Sequence, residues 1–141
     1  MADFRGACAC GGIAWRARVS PFRSVLCHCA SCRAAEGAGP VGYMGFAKVS
    51  VGWTGQRVFR ASSMGVTRGA CPGCGTALSY MCTRWPGELH VHAARLTDPA
   101  LFRPEAHIHW AERLPGTGAT DDLPRYDGRG PADLPALRPR R

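Results

Sequence analysis

Seven of the eight cysteines lie in three short clusters, and cysteine thiolates are strong ligands for metal ions. The clusters are Cys8-x-Cys10, Cys27-x-Cys29-x2-Cys32 and Cys71-x2-Cys74. Sulfurs one to three residues apart can converge on one tetrahedral ion, whereas a disulfide joins chain segments whose α-carbons approach each other. The spacing therefore predicts metal binding and not a disulfide framework.

The sizes of the clusters, two, three and two cysteines, indicate two kinds of metal site. Two pairs complete a closed site of four thiolates, and the economical assignment joins the first pair to the last. The triplet leaves one position of a tetrahedral ion free, which is the arrangement that catalytic zinc usually has. The predicted ligands are Cys8, Cys10, Cys71 and Cys74 for a structural zinc, and Cys27, Cys29 and Cys32 for an open zinc.

The segment Cys71-Pro72-Gly73-Cys74-Gly75 has the form of a zinc knuckle. Its glycines permit the tight turn in which backbone N–H groups point at thiolate sulfurs. A Cys-x2-Cys dithiol used for redox chemistry instead begins a helix within a βαβ unit. Because the residues that follow, 76–80, resemble a strand, we favour the zinc interpretation.

The segment from Cys27 to Arg33 is the candidate for chemistry, because an open metal position can accept water or the sulfur of a substrate. A thiol bound to the metal there would lose its proton. His28 lies between two ligands and is expected to point away from them, as a supporting or surface residue. Arg33 is a candidate for bidentate contact with a substrate carboxylate.

Length and composition predict one soluble domain. The chain has 141 residues, 45% of them hydrophobic, with no apolar run of the length that spans a membrane. The start, Met1 to Arg5, lacks the apolar stretch of a signal peptide. We expect a reducing, cytoplasmic setting, where clustered cysteines bind metal more often than they form disulfides.

The formal net charge of +8 does not by itself indicate a nucleic-acid partner. Seven thiolates with two zinc ions would lower it by about three units, and residues 128–141 hold four arginines against one aspartate. Aromatic residues do not alternate with the arginines as an RNA-binding sheet requires. We expect neither a nucleic-acid nor a membrane partner; a homo-oligomer is compatible with the sequence.

Hydrophobic residues recur mostly with a period of two, which predicts a mainly β fold with little helix. The predicted strands are 13–19, 24–27, 41–46, 48–53, 56–61, 77–82, 88–93 and 106–110. Short helices are indicated only at 31–36 and 98–102. A single domain is predicted over 1–127, followed by a flexible basic tail rich in proline and arginine over 128–141.

The order of the motifs resembles the glutathione-dependent formaldehyde-activating enzyme family, which includes the centromere protein V-like proteins. The resemblance covers residues 8 to about 126. It rests on Cys-x-Cys-Gly-Gly-Ile at 8–13, Cys-His-Cys-x2-Cys-Arg at 27–33 with Gly37-Ala38, Arg68 before Cys-x2-Cys-Gly-Thr at 71–76, Leu96-Thr97-Asp98-Pro99, and His107-Ile108.

The resemblance implies an Mss4-like, mostly β fold with two zinc sites, four cysteines in the structural one and three in the catalytic-type one. Cys29 would lie near the thiol of bound glutathione. The implied partners are glutathione, or another small thiol, and a small aldehyde. The implied reaction is the addition of glutathione to formaldehyde to give S-hydroxymethylglutathione, in the class of carbon–sulfur lyases.

Two other functions are compatible with the same cysteines. A zinc-ribbon module that binds protein or nucleic acid would use both metals structurally and would need a fourth ligand for the triplet. Alternatively, the protein would bind glutathione or zinc without turnover. The candidates for a fourth ligand are Cys82, His90, His92, His107 and His109.

Overall fold

The computed structural model describes residues 2–116 and 120–130. Within them the chain is mainly β, with one seven-residue α-helix, α1 (Ala30–Glu36), and four single turns of 3-10 helix. The strands are β1 (Phe4–Ala7), β2 (Ala14–Ala17), β3 (Arg23–Cys27), β4 (Val41–Ala47), β5 (Val51–Thr54), β6 (Val58–Ser63), β7 (Val66–Ala70), β8 (Ala77–Cys82), β9 (Glu88–His92) and β10 (Ala106–Ile108).

The strands form two sheets. A small antiparallel sheet has the order β1-β2-β5, and a large sheet has the order β10-β3-β4-β9-β8-β7-β6. Every pairing in the large sheet is antiparallel except that of β10 with β3. In the part of the chain that the structure describes, no helix is both long and apolar enough to cross a membrane.

The main hydrophobic core lies between the small sheet and one face of the large sheet. Met44 and Phe46, two residues apart on β4, point to this face and are almost completely buried. The Phe46 ring contacts Phe4 of β1 at 5.9 Å and Trp15 of β2 at 6.1 Å between ring centroids. Burial of these large side chains fixes which residues of β4 face the opposite side of the sheet.

The opposite face of the large sheet holds the side chains that lead to the cysteine triplet. Along β3, Arg23, Val25 and Cys27 point to this face, because side chains alternate along a strand. The register places Val25 opposite Tyr43 of β4, and Tyr43 therefore lies on the same face. The sheet thus sets a row of side chains that ends at the first cysteine of the triplet.

The predicted mainly β class with little helix is confirmed, and each of the eight predicted strands overlaps a strand of the structure. Two further strands, β1 and β7, were not predicted. Residues 48–50 form a 3-10 turn before β5, and of the two predicted helices, 31–36 is α-helical and 98–102 contains a 3-10 turn at 99–101.

The described beginning of the predicted tail, residues 128–130, lies against the domain. The Gly128 carbonyl accepts a hydrogen bond from the His109 amide at 2.8 Å, and Arg129 forms an ion pair with Glu88 at 2.6 Å. The remainder of the predicted tail, 131–141, lies outside the described residues.

Candidate metal and thiol site

The first and last cysteine pairs meet in one cluster, as the sequence predicts. The ligand atoms of the four residues all lie within 4.8 Å of one another. The Cys8 and Cys10 sulfurs are 3.5 Å apart, and the Cys10 and Cys71 sulfurs are 3.7 Å apart. The cluster joins the start of the chain to its middle, since Cys71 follows β7 and Cys8 follows β1. The full set is Cys8, Cys10, Cys71 and Cys74.

Each pair is presented by a tight turn. Gly11 and Gly75, each directly after the second cysteine of its pair, have φ angles of 79° and 77°, which favour glycine. Backbone amides point at the sulfurs: Ile13 donates to Cys8 at 3.2 Å, and Gly73 donates to Cys71 at 3.3 Å. These turns give the sulfurs hydrogen-bond donors that stabilise thiolates.

The triplet forms the second cluster. Cys27 is the last residue of β3, Cys29 caps the N-terminus of α1, and Cys32 lies in its first turn. The Cys32 amide donates to the Cys29 sulfur at 3.2 Å, and the Cys27 and Cys32 sulfurs are 3.6 Å apart. The strand end and helix start therefore bring together three sulfurs, all within 4.8 Å.

Both clusters fit a tetrahedral metal ion such as zinc. Sulfurs about 2.3 Å from a tetrahedral ion are about 3.8 Å from one another, close to the separations in the two clusters. All eight cysteines are free thiols, and sulfur separations of 3.5 to 3.7 Å far exceed the length of a covalent S–S bond. The residues present therefore fit two metal ions per chain.

Two buried polar side chains support the triplet at Cys32. The Tyr43 hydroxyl lies 3.5 Å from the Cys32 sulfur, and the Arg68 guanidinium lies 3.6 Å from it. Arg68 also donates to the Tyr43 oxygen at 3.1 Å. Hydrogen bonds from Cys27 and Cys29, and then from Tyr43 and Arg68, lower the pKa of the Cys32 thiol. Burial raises the pKa of Tyr43, so the tyrosine keeps the proton that it donates.

A cavity of about 350 Å³ lies beside the triplet, and all three cysteines of the triplet line this cavity. Much of the wall is apolar or aromatic, including Val25, Val66 and Tyr80. Three arginines also line it: Arg23, Arg84 and Arg129. The triplet is therefore reached from a pocket of the size and composition that binds a small organic molecule.

None of the proposed fourth ligands joins the triplet among residues 2–116 and 120–130. Cys82 is buried on β8 and lines the cavity. His90 lies 3.1 Å from the Glu88 carboxylate, and His92 lies 3.6 Å from that of Glu36. His107 contacts Asp121 at 3.0 Å, and His109 faces Glu112 at 3.5 Å. A closed four-ligand site at the triplet has no support in this geometry.

His28 and Arg33 point away from the three sulfurs. His28 is buried, and its Nε2 lies 2.9 Å from Nδ1 of His107. The Arg33 guanidinium donates to the backbone carbonyls of His28 and Glu112, and Arg33 is not part of the cavity wall. Arg33 thus supports the loop that carries the cysteines, and a direct contact of Arg33 with substrate stays a prediction.

Three site residues were not assigned a role from the sequence: Arg23, Tyr43 and Arg68. Arg68 was noted only as part of a motif. In the sequence, Tyr43 is indistinguishable from the other hydrophobic residues of its predicted strand. The available signal was a polar residue at an inward position of an alternating strand, as for Arg23 before Val25 and Cys27. Their placement on one face depends on the pairing of β3 with β4 and on the strands β9 and β8 that connect β4 to β7 in the sheet, which local spacing does not report.

Comparison with known proteins identifies the family. The model of the family described as glutathione-dependent formaldehyde-activating enzyme matches residues 3–112. The chain belongs to this family, as the motif order predicts.

The fold is also found among solved structures. A crystal structure of a Rhodobacter sphaeroides protein is similar with a TM-score of 0.55 and 16% sequence identity, over 86% of this chain and 98% of that chain. At this identity the likeness concerns the fold alone. No curated protein matches the chain.

Proposed function

We propose that the protein catalyses the addition of the glutathione thiol to formaldehyde, giving S-hydroxymethylglutathione, with two zinc ions per chain. In the reverse direction the reaction is that of a carbon–sulfur lyase. The observation that carries the proposal is the triplet of cysteines at the wall of a cavity, without a fourth protein ligand among the described residues. Membership of the family supports the choice of thiol and aldehyde.

The reaction forms one bond between the thiol sulfur and the formaldehyde carbon. The electron pair of the carbonyl π bond moves to the oxygen, which takes up the proton that the thiol gives up. Cys27, Cys29 and Cys32 would hold the catalytic zinc, which would supply a Lewis acid with a remaining position for sulfur and favour loss of the thiol proton.

The residues around the triplet keep it in place and limit the access of water. Tyr43 and Arg68 hold the Cys32 sulfur from one side through the contacts at 3.5 and 3.6 Å. The apolar part of the cavity wall includes Val25, Val66 and Ile108. Holding the thiol and the aldehyde together in this pocket reduces the entropic cost of a bimolecular addition.

The four-cysteine cluster would have a structural role. It lies between the small sheet and the turn after β7, and it packs with Ile13 and Leu78 in a core of its own. A zinc ion held by four thiolates there would link two distant parts of the sequence, and its binding free energy would contribute to folding.

Exchange spectroscopy by NMR on an equilibrium mixture of glutathione, formaldehyde and S-hydroxymethylglutathione tests the proposal. The uncatalysed exchange requires free thiolate, so measurement near pH 6 keeps it slow. Zinc-loaded wild type should accelerate the exchange, and Cys29→Ala should reduce the acceleration by at least about tenfold. Equal exchange rates with wild type, with Cys29→Ala and in buffer alone would refute this function and favour a binding module.

A further inference from the structure

Arg23 is a buried cation whose hydrogen bonding is incomplete. The residue is 3% exposed, and its Nη2 donates to the Arg129 carbonyl at 2.5 Å. Its Nε is buried and has no hydrogen-bond partner. No ion pair involves Arg23 in the described ranges 2–116 and 120–130. Because a buried, unsatisfied donor is costly, a ligand that completes these interactions would bind favourably.

Arg23 lines the same cavity as the triplet and lies on the same strand face as Cys27. They are four positions apart along β3, which places their α-carbons roughly 13 Å apart. Val25 lies between them on the cavity wall. A ligand with its sulfur at the triplet and an anionic group several bonds away could therefore contact both ends of this row.

The Arg23 end of the cavity is positively charged. Arg129 and Arg84 also line the cavity, and no acidic side chain does so among the described residues. The carboxylates of Glu88 and Glu105 both act on the charge of Arg23 without lining the cavity. Glu88 is already bonded to Arg129 at 2.6 Å and to His90 at 3.1 Å. Burial, and then the charge of Arg129, lower the pKa of Arg23 to about 10, which still leaves the guanidinium charged at neutral pH.

We propose that Arg23, together with Arg129, forms a carboxylate subsite that selects thiols carrying a carboxylate several bonds from sulfur. This inference rests on the proposed function, in which the thiol sulfur binds at the triplet. Guanidinium groups bind carboxylates through paired N–H donors, and the unpaired Nε of Arg23 supplies such a donor in a site with little water. Short peptide thiols such as glutathione belong to this class, and simple alkyl thiols do not.

Titration calorimetry with glutathione and with glutathione diethyl ester separates the subsite from the sulfur contact. The ester retains the thiol and loses both carboxylate charges. Zinc-loaded wild type should bind glutathione at least about tenfold more tightly than the ester, as expected for a charged hydrogen bond removed from water. Arg23→Gln should weaken glutathione binding by a similar factor and leave the affinity for the ester unchanged.

Arg95→Gln is the matched control, because Arg95 is a half-buried arginine that donates to the Ala7 carbonyl and does not line the cavity. It should keep the preference for glutathione. If Arg23→Gln does not fold, Arg23→Lys and the comparison of ligands on wild type still decide the question, since Arg23→Lys should reduce the preference.

Two outcomes would overturn the subsite. Equal affinity of wild type for glutathione and its ester would do so, even when the exchange reaction is catalysed, and the proposed function would then stand. An unchanged preference in a folded Arg23 variant would do the same. Failure of wild type to bind either thiol would overturn both the subsite and the proposed function.

Discussion

His28 Nε2 lies 2.9 Å from His107 Nδ1, and this contact ties the loop of the triplet to strand β10. His107 Nε2 lies 3.0 Å from the Asp121 carboxylate, which fixes that nitrogen as a donor. His107 Nδ1 is then the acceptor for the Nε2–H of His28. Trp110 packs edge-on against both imidazoles, at 5.0 and 5.1 Å between ring centroids. Residues 79 or more positions away from His28 in sequence thus determine how the loop between Cys27 and Cys29 is held.

Asp121→Asn should weaken metal binding at the triplet by about tenfold and leave the four-cysteine cluster unchanged. The reason is indirect: loss of the carboxylate loosens His107, then His28, and with them the orientation of Cys27 and Cys29. Competition with a chelator, read as metal released per chain, measures both affinities. Asp122→Asn is the control, since this neighbouring carboxylate is also exposed. Equal metal retention by the two variants would show that the chain of contacts does not support the triplet.

The convergence of sulfurs within each pair and within the triplet could be predicted from sequence, because each of these clusters is a local feature. A segment of three to six residues decides whether the sulfurs within it converge. The supporting contacts could not be predicted in the same way, since His28, His107 and Asp121 lie on three separate segments that meet only after the large sheet has formed.

The two strands that were not predicted also have a physical explanation. In β7, Arg68 occupies an inward position, so the apolar alternation that marks a strand is interrupted by a charged residue. In β1, Gly6 lies against Trp15, and a Cβ at that position would come within 2.3 Å of the indole. Close approach to a ring on the neighbouring strand requires glycine there, and glycine weakens the strand signal.

Cys71→Ala should abolish cooperative folding, whereas Cys29→Ala should leave a folded protein. The first variant removes one of four ligands from the cluster that links β1 to β7, and the associated loss of metal binding costs several kcal/mol of folding free energy. The second affects a site at the cavity wall. Circular dichroism and thermal unfolding of the two proteins measure the difference.

Cys82→Ala serves as the control for loss of a buried cysteine outside both clusters, and it should cost about 1 kcal/mol. Equal damage from Cys71→Ala and Cys29→Ala would contradict the division into a structural and a catalytic-type site.

Arg68→Lys should destabilise the protein by about 2 kcal/mol, because an ammonium group cannot replace the several directed donors of a guanidinium. Arg68 donates to Ser62 at 2.9 Å and to Tyr43 at 3.1 Å, besides its contact with Cys32. Arg60→Lys on the neighbouring strand is the control, since Arg60 pairs with Arg68 in register but is exposed. Denaturant unfolding gives both values. A loss below about 0.5 kcal/mol for Arg68→Lys, the range of ordinary surface substitutions, would show that its contacts are not important for the fold.

His92 should make the folded protein less stable as the pH falls from about 6.5 to 4. Burial, followed by the positive charge of Arg68, lowers the pKa of His92 to about 4. In the unfolded chain the imidazole takes up a proton near its ordinary pKa of about 6.5, so protonation in this window favours unfolding. The contribution is fully present above pH 6.5 and reaches a loss of about 3 kcal/mol near pH 4.

His92→Gln should therefore show a flatter decline of unfolding free energy between pH 7 and pH 4 than wild type, even though it is less well packed at pH 7. The difference between the two proteins isolates this residue from the other buried histidines. The half-buried Glu36 carboxylate, 3.6 Å away, acts with the opposite sign, because burial raises its pKa and acid then favours the folded state. Urea unfolding at intervals of half a pH unit measures both curves, and parallel curves for the two proteins would show that His92 is not the group responsible.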